Sequence, residues 1–171
     1  MIYFITENYI KTNTPVTKNV DVSDVMPYVK TVSDQRVQPI LGTYFYEYLL
    51  AAYNAQNLTN NETTLVEYIQ PIVAWFSAAE AAFGLSYQLK NKGIQQQFGD
   101  YSQAVTRGDV AFTMVHYEQK GFFYINRLKF YLTENKALFS QFTSQLNKDS
   151  DLKPIDNCDN NNDYNNTMIV L

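Results

Sequence analysis

His116 and Cys158 are the only histidine and the only cysteine in the chain, so acid–base, thiolate or metal chemistry has few residues to draw on. His116 sits inside a helical pattern, with no second His or Cys to share a metal. Catalytic and metal-bound histidines come with such partners, and His116 reads instead as a partly exposed helix residue. Cys158 lies in a polar, acidic stretch, the opposite of the electropositive setting that activates a thiol, and a lone cysteine leaves no disulfide within the chain. Glu67, Glu80 and Glu118 are scattered carboxylates. Glu80 and Glu118 fall near the buried stripes of two long helices, but a divalent-ion site there would need Glu-x-x-His companions, which the sequence lacks. A salt bridge to Arg36 or Arg127 suits them better. Asp156 to Asp163 lack the Gly and closing Glu of an EF-hand loop, and no phosphate loop, Gly-x-Gly-x-x-Gly or Gly-x-Ser-x-Gly occurs. The expectation is a protein with no catalytic residue, no metal and no cofactor.

The elements that carry these residues are helical. Thr6 can cap a short turn starting at Glu7, which Thr14-Pro15 ends. Ser23 looks like the cap of the first substantial helix, where Val25, Val29, Val32, Arg36/Val37 and Ile40 recur at helical spacing until Pro39 and Gly42 stop it. Thr43 begins a helix to about Asn54 with Phe45, Leu49 and Tyr53 on one stripe, widened by Tyr46 and Leu50. Thr64 with Glu67 fits a capping box. It opens a long helix through Leu65, Ile69, Ile72, Trp75/Phe76, Ala79, Ala82/Phe83, Ser86 and Leu89, about 40 Å in length, with a kink expected from Pro71 near its first turns. Gly93 to Gly108 lacks helical periodicity and reads as an extended loop or a small hairpin turning at Gly99-Asp100. Asp109 is the candidate cap of a second long helix, ending near Asn135, with Ala111, Met114/Val115, Glu118, Phe122, Ile125, Leu128 and Leu132 as its inward stripe. One more turn follows around Phe139. The fold class expected is an all-α bundle of two long and two short helices, over residues 1–145, followed by a flexible Asn/Asp-rich tail over 146–171.

Composition narrows the function classes. The chain of 171 residues is 46% hydrophobic but only 18% charged, with 14 Tyr and 11 Phe. Tyrosine is apolar in body and polar at its tip, as an interface residue should be, although a Tyr-rich core would also account for it. The net charge is -4 and no Lys/Arg cluster occurs, which argues against nucleic-acid binding as the primary task. From Leu146 onward, Lys148 and Lys153 face Asp149, Asp151, Asp156, Asp159 and Asp163, leaving the body near neutral. The start, MIYFITENY, does not have the form of a signal peptide, and Ile72 to Leu85 is too short and too interrupted to span a membrane. The expected site of synthesis is the cytoplasm.

The order of segments resembles a family. Ile5-Thr6-Glu7-Asn8, the run Asp24 to Lys30, the run Arg36 to Leu49, Lys90 to Ile94 and Lys129 to Asn135 follow one another in a plan similar to the neck-ring, or head-to-tail connector, proteins of tailed phages. Among these the ring proteins of crAss-like and other Bacteroides-type phages are the nearest in plan. The positions carrying the likeness are Pro27, Tyr28, Ile40, Leu41, Gly42, Tyr46, Leu49 and Gly93, and the likeness covers roughly Ile2 to Phe142. It implies an all-α, non-enzymatic virion subunit that forms a ring, usually twelvefold, below the portal. Such a ring extends the DNA channel without binding DNA specifically, and it offers a platform to further neck or tail proteins. A phage tail-completion or assembly module that forms no ring is the alternative.

Two segments are expected to make contacts. In the stretch Gly93 to Gly108, Ile94, Phe98, Tyr101 and Val105 supply apolar anchors for a neighbouring subunit, the alternative being a loop folded over its own bundle. In the tail, Met168, Ile169, Val170 and Leu171 follow a polar spacer and read as an anchor that adds to a sheet edge or enters a groove on a partner, a frayed end being the alternative.

Overall fold

A computed structural model of the chain describes residues 3–16, 20–90, 93–96 and 106–152. Helix α1 (Glu7–Asn13) is capped by the Thr6 hydroxyl, which accepts from Tyr9 N at 3.3 Å, and it ends at Thr14. A 3-10 turn (Val22–Asp24) leads into α2 (Met26–Val32), with Pro27 in the first turn, where its missing N–H costs little. Ser23 caps nothing: its N–H donates to Asp21, and α2 starts three residues after it.

Between α2 and α3 (Gln38–Leu41) the chain makes a wide π-helical turn, Ser33–Val37, closed by Gln38 N–H bonding back to the Ser33 carbonyl. Pro39 explains it. A proline cannot donate to the carbonyl four residues back, and its ring crowds that carbonyl, so the preceding turn opens by one residue. Val25, Val29, Val32, Val37 and Ile40 are all buried, and the five-residue step from Val32 to Val37 is the widened turn written in sequence.

Gly42 then turns the chain at φ 80°, ψ 150°, and α4 (Thr43–Asn54) follows, burying Phe45, Tyr46, Leu49 and Leu50. The next helix, α5 (Asn60–Ser86), starts earlier than Thr64. Glu62, only 5% exposed, accepts from Thr59 N at 2.8 Å and from Thr59 Oγ1 at 2.9 Å. Two tandem Thr-x-x-Glu boxes compete here, and the first wins because Asn60 and Asn61 are tolerated in an opening turn. Pro71 consequently lies mid-helix rather than near the start.

Helix α5 is the centre of the fold. Leu65, Ile69, Ile72, Val73, Ala74, Phe76, Ala78, Ala79 and Ala81 are buried, on more than one of its faces. It also ends earlier than expected, at Ser86. Tyr87–Lys90 is strand β1, paired antiparallel with β2 (Gly93–Gln96), Leu89 opposite Ile94 and Lys90 opposite Gly93. The helix thus gives way to a pair of strands before Gly93, and the expected turn at Gly99-Asp100 lies outside the described residues.

Helix α6 (Arg107–Asn135) opens on Thr106, not Asp109. The Thr106 hydroxyl caps Asp109 N, and the Asp109 carboxylate returns to Thr106 N, a reciprocal box. The α6 helix runs antiparallel to α5, since Trp75 meets Tyr117, Phe76 meets Phe122 and Tyr68 stacks on Tyr131 at 4.5 Å between ring centroids. A 3-10 turn (Lys136–Leu138) and α7 (Ser140–Thr143) return the chain to α4, where Phe139 and Phe142 pack on Phe45. The architecture is all-α: two long and several short helices with one short hairpin.

The segment after α7 corrects the expected tail boundary. Asn147 is fully buried and Ser150 is 6% exposed. Asn147 Nδ2 donates to the carbonyls of Leu41 (2.8 Å) and Phe142 (3.1 Å), and its Oδ1 accepts from Phe45 N at 3.4 Å. Asp149 accepts from Thr43 N at 2.9 Å, Ser150 Oγ donates to the Ile40 carbonyl at 2.6 Å, and Asp151 N donates to the Pro39 carbonyl at 2.8 Å. Helix ends leave unpaired carbonyls and N–H groups. The end of α3 and the start of α4 are adjacent at Gly42, and this strap satisfies both from one side. Polar residues belong there because the corner is polar, so residues 147–152 are part of the fold. Only 153–171, outside the described residues, remain of the expected tail.

Candidate assembly surface

The side of α6 that faces α5 is set by Val110, Gly121, Leu128 and Leu132, the four buried residues of the helix. At 3.6 residues per turn these fall on one narrow face. Gly121 lets the helices approach: a Cβ there would sit 2.4 Å from Phe76 Cε2. Ala111, Val115 and Phe122, expected on the inward stripe, are exposed. The inward face is rotated from the expected one because Phe76 occupies the space over Gly121, displacing larger side chains to either side.

Diametrically opposite is a second apolar stripe. Phe112, Phe123 and Phe130 project from the outer face with 76%, 58% and 71% of their surface exposed, and Val115 lies beside them. Phe112 and Phe130 are about five full turns apart, so the stripe runs most of the helix. A helix that buries one face normally presents polar residues on the other. Three exposed phenylalanines in line along the outer face depart from that pattern, as residues at an interaction site do.

Cations flank the stripe. On one edge the Arg36 guanidinium lies 4.6 Å from the Phe76 ring and 5.6 Å from Phe122, with Glu118 at 3.9 Å. Of the pairings expected for Glu80 and Glu118 with Arg36 or Arg127, this is Glu118 with Arg36, drawn across from the π turn. On the other edge Lys120 stands 5.2 Å from the Trp75 ring, and Arg127 stands 5.4 Å from Tyr68 and 6.0 Å from Phe123. Trp75, His116, Gln119, Lys120, Phe123 and Tyr124 line an open depression of about 430 Å³ along this edge. Deeper in the same seam, burial and then the neighbouring Tyr68 raise the Tyr131 hydroxyl above the usual phenol range.

An apolar floor with aromatic rings and cations at its rim takes up hydrophobic side chains with acidic neighbours. Among the described residues, no three of His, Cys, Asp and Glu come together to hold a metal ion, and no helix is long and apolar enough to cross a membrane.

The other residues singled out in the sequence divide into two groups. Tyr28, Ile40, Leu41, Gly42, Tyr46 and Leu49 build the core around the corner. Tyr28 fills the space that Gly84 leaves beside α5, and Leu49 is fully buried. The Tyr46 hydroxyl donates to Asp34 Oδ1 at 2.9 Å, and burial, then that bond, push its ionisation well up. Pro27 opens α2 and Gly93 opens β2, so these positions serve the fold. In the second group, Ile94 sits in β2, while Phe98, Tyr101, Val105, Met168, Ile169, Val170 and Leu171 lie outside the described residues.

Residues 37–151 match a family of unknown function, DUF6712. The chain belongs to DUF6712. The DUF6712 region opens in the π turn and closes in the strap, the two segments tied together by the Pro39–Asp151 hydrogen bond, and it contains the whole of α6 with its outer stripe. No curated protein and no solved structure matches the chain.

Proposed function

We propose that this DUF6712 chain is a non-enzymatic structural subunit that associates with further copies of itself into a ring in the neck of a tailed phage, between portal and tail. The outer face of α6 is the contact surface. The observation that carries the reading is the exposed stripe of Phe112, Phe123 and Phe130, backed by a helix whose opposite face is already committed to the core. Exposing three aromatic rings to water is costly unless association removes them, at about 25 cal/mol per Å² of apolar surface. The resemblance of its segment order to neck-ring proteins suggests the biological setting, and the net charge of -4 suits a conduit along which DNA slides without being held.

Sedimentation velocity with negative-stain imaging over rising concentration tests this. Closed rings are expected from the wild type, and smaller species from a Phe112→Ser, Phe123→Ser, Phe130→Ser variant. Open, unclosed oligomers that the triple variant abolishes would favour an assembly module without a ring.

A further inference from the structure

We propose that around the ring the outer face of α6 in one copy packs on the Gly42 corner of the next. There Tyr44 and Leu146 take the phenylalanine stripe, and the acids Glu47, Asp149 and Asp151 meet the cations beside it. The inference rests on the assembly reading above and names the surface that receives α6. A closed ring of more than two copies repeats one heterologous contact, in which two different patches meet. The stripe of Phe112, Phe123 and Phe130 therefore needs a partner surface elsewhere on the same chain.

Two observations pick the corner. The first is exposed apolar surface. Away from α6, the large apolar side chains that stand exposed among the described residues are Tyr44, Phe83, Leu138 and Leu146. Phe83 lies near the end of α5 and Leu138 at the foot of α6, whereas Tyr44 and Leu146 come together. Residues 43–45 are tied to 147–149, because Thr43 N donates to Asp149 and Phe45 N donates to Asn147. Tyr44, 39% exposed, and Leu146, 66% exposed, flank that tie. Behind it the Phe139 ring lies 5.7 Å from Phe45 and 6.3 Å from Tyr131, which stacks on Tyr68 of α5. The corner is thus reached from the α5 side of α6 and the stripe lies on the other, so one copy can use both at once.

The second observation is charge. Beside the stripe, Lys120 and Arg127 lie over the rings of Trp75 and Tyr68, and among the described residues neither pairs with a carboxylate. The corner offers the complement. Glu47 is exposed about one turn after Tyr44, and the strap carries Asp149 and Asp151 against one cation, Lys148. Among the described residues none of these three acids pairs with a cation. Thr43 donates to Asp149 through its N–H and its hydroxyl, which holds that carboxyl below its usual range and keeps it charged. An apolar centre with opposite charges on its two rims fixes the orientation of a contact and speeds its formation.

Mixing two variants of the full chain tests this. One loses the stripe (Phe112→Ser, Phe123→Ser, Phe130→Ser) and keeps the corner; the other loses the corner (Tyr44→Ser, Leu146→Ser) and keeps the stripe. Sedimentation velocity, at a concentration where the wild type assembles, should find each alone subunit-sized. Their mixture should give a one-to-one pair that grows no further, since one sound contact remains. Circular dichroism melts check the folding of both, and Leu146→Asp, at the more exposed position, replaces the double variant if Tyr44→Ser lowers its melt. Adding Glu47→Lys to the stripe variant should weaken the pair several-fold at low salt and less at high salt; an unchanged affinity at low salt would overturn the choice of corner. A corner variant that assembles like the wild type, beside a stripe variant that does not, would overturn the inference and leave the assembly reading standing. Two folded variants that stay apart when mixed would do the same. A wild type that remains monomeric at high concentration would overturn both.

Discussion

Replacing Asn147 with Ala should be among the most destabilising polar changes in the protein. The side chain has no exposure and makes three contacts: with the Leu41 carbonyl at 2.8 Å, the Phe142 carbonyl at 3.1 Å and the Phe45 N–H at 3.4 Å. Alanine leaves two buried acceptors and one buried donor unpaired. At about 1 kcal/mol each, the low end for an orphaned buried group, the loss is about 3 kcal/mol. For a chain of this size each kcal/mol moves the melting temperature by about 2–4 °C, so a drop of about 6–12 °C is expected. Thermal melts by circular dichroism, with urea titration beside them, measure it. Lys148→Ala, at the exposed neighbouring position, should stay within about 0.5 kcal/mol of wild type. An Asn147→Ala melt within about 2 °C of wild type would refute the view that the strap closes the Gly42 corner.

Gly42→Ala should cost at least as much, because φ is 80° there and the new Cβ would lie 2.2 Å from Asn147 Oδ1; a melt like the parent's would count against this. Gly121→Ala should lower stability by about 1–3 kcal/mol as Phe76 is pushed aside, measured by urea titration. Hydrogen bonds from Thr43 hold the Asp149 carboxyl below its usual pKa. Its contribution is therefore present in full above the unfolded pKa, about 4, and is lost as pH falls through the lower folded value. Asp149→Asn should accordingly melt lower than wild type at pH 6, with the two curves converging at strongly acidic pH. A gap independent of pH would contradict that assignment. Phe112→Ser and Phe130→Ser should each leave the subunit's melt within about 0.5 kcal/mol, since neither ring packs in the core.

Much of the bundle was legible from periodicity. The Phe45–Leu49 stripe, the Leu65–Phe76 stripe and the end of α6 at Asn135 follow from spacing alone, because the buried residues there recur at helical intervals. The errors arose where two local signals compete. Thr59/Glu62 and Thr64/Glu67 are equally good capping boxes, and Thr106 and Asp109 are the two halves of one box. Leu89 fits a helical stripe as well as a strand, and tertiary pairing with Ile94 decided it. The strap was not legible, because Asn147, Asp149 and Ser150 look like solvated tail residues until the Gly42 corner is known to need donors and acceptors. The second stripe on α6 was present in the sequence as Phe112, Phe123 and Phe130. Phe122 and Val115 offer a different inward face in the sequence, and only the contact of Gly121 with Phe76 shows which way the helix is turned.

The most direct test of the central claim is the sedimentation distribution of the wild type beside the Phe112→Ser, Phe123→Ser, Phe130→Ser variant, at the highest concentration at which both stay in solution and with circular dichroism confirming equal helix content. The account predicts closed multimers for the wild type and a subunit-sized species for the variant. Identical distributions for the two folded proteins, whether both monomeric or both assembled, would contradict it.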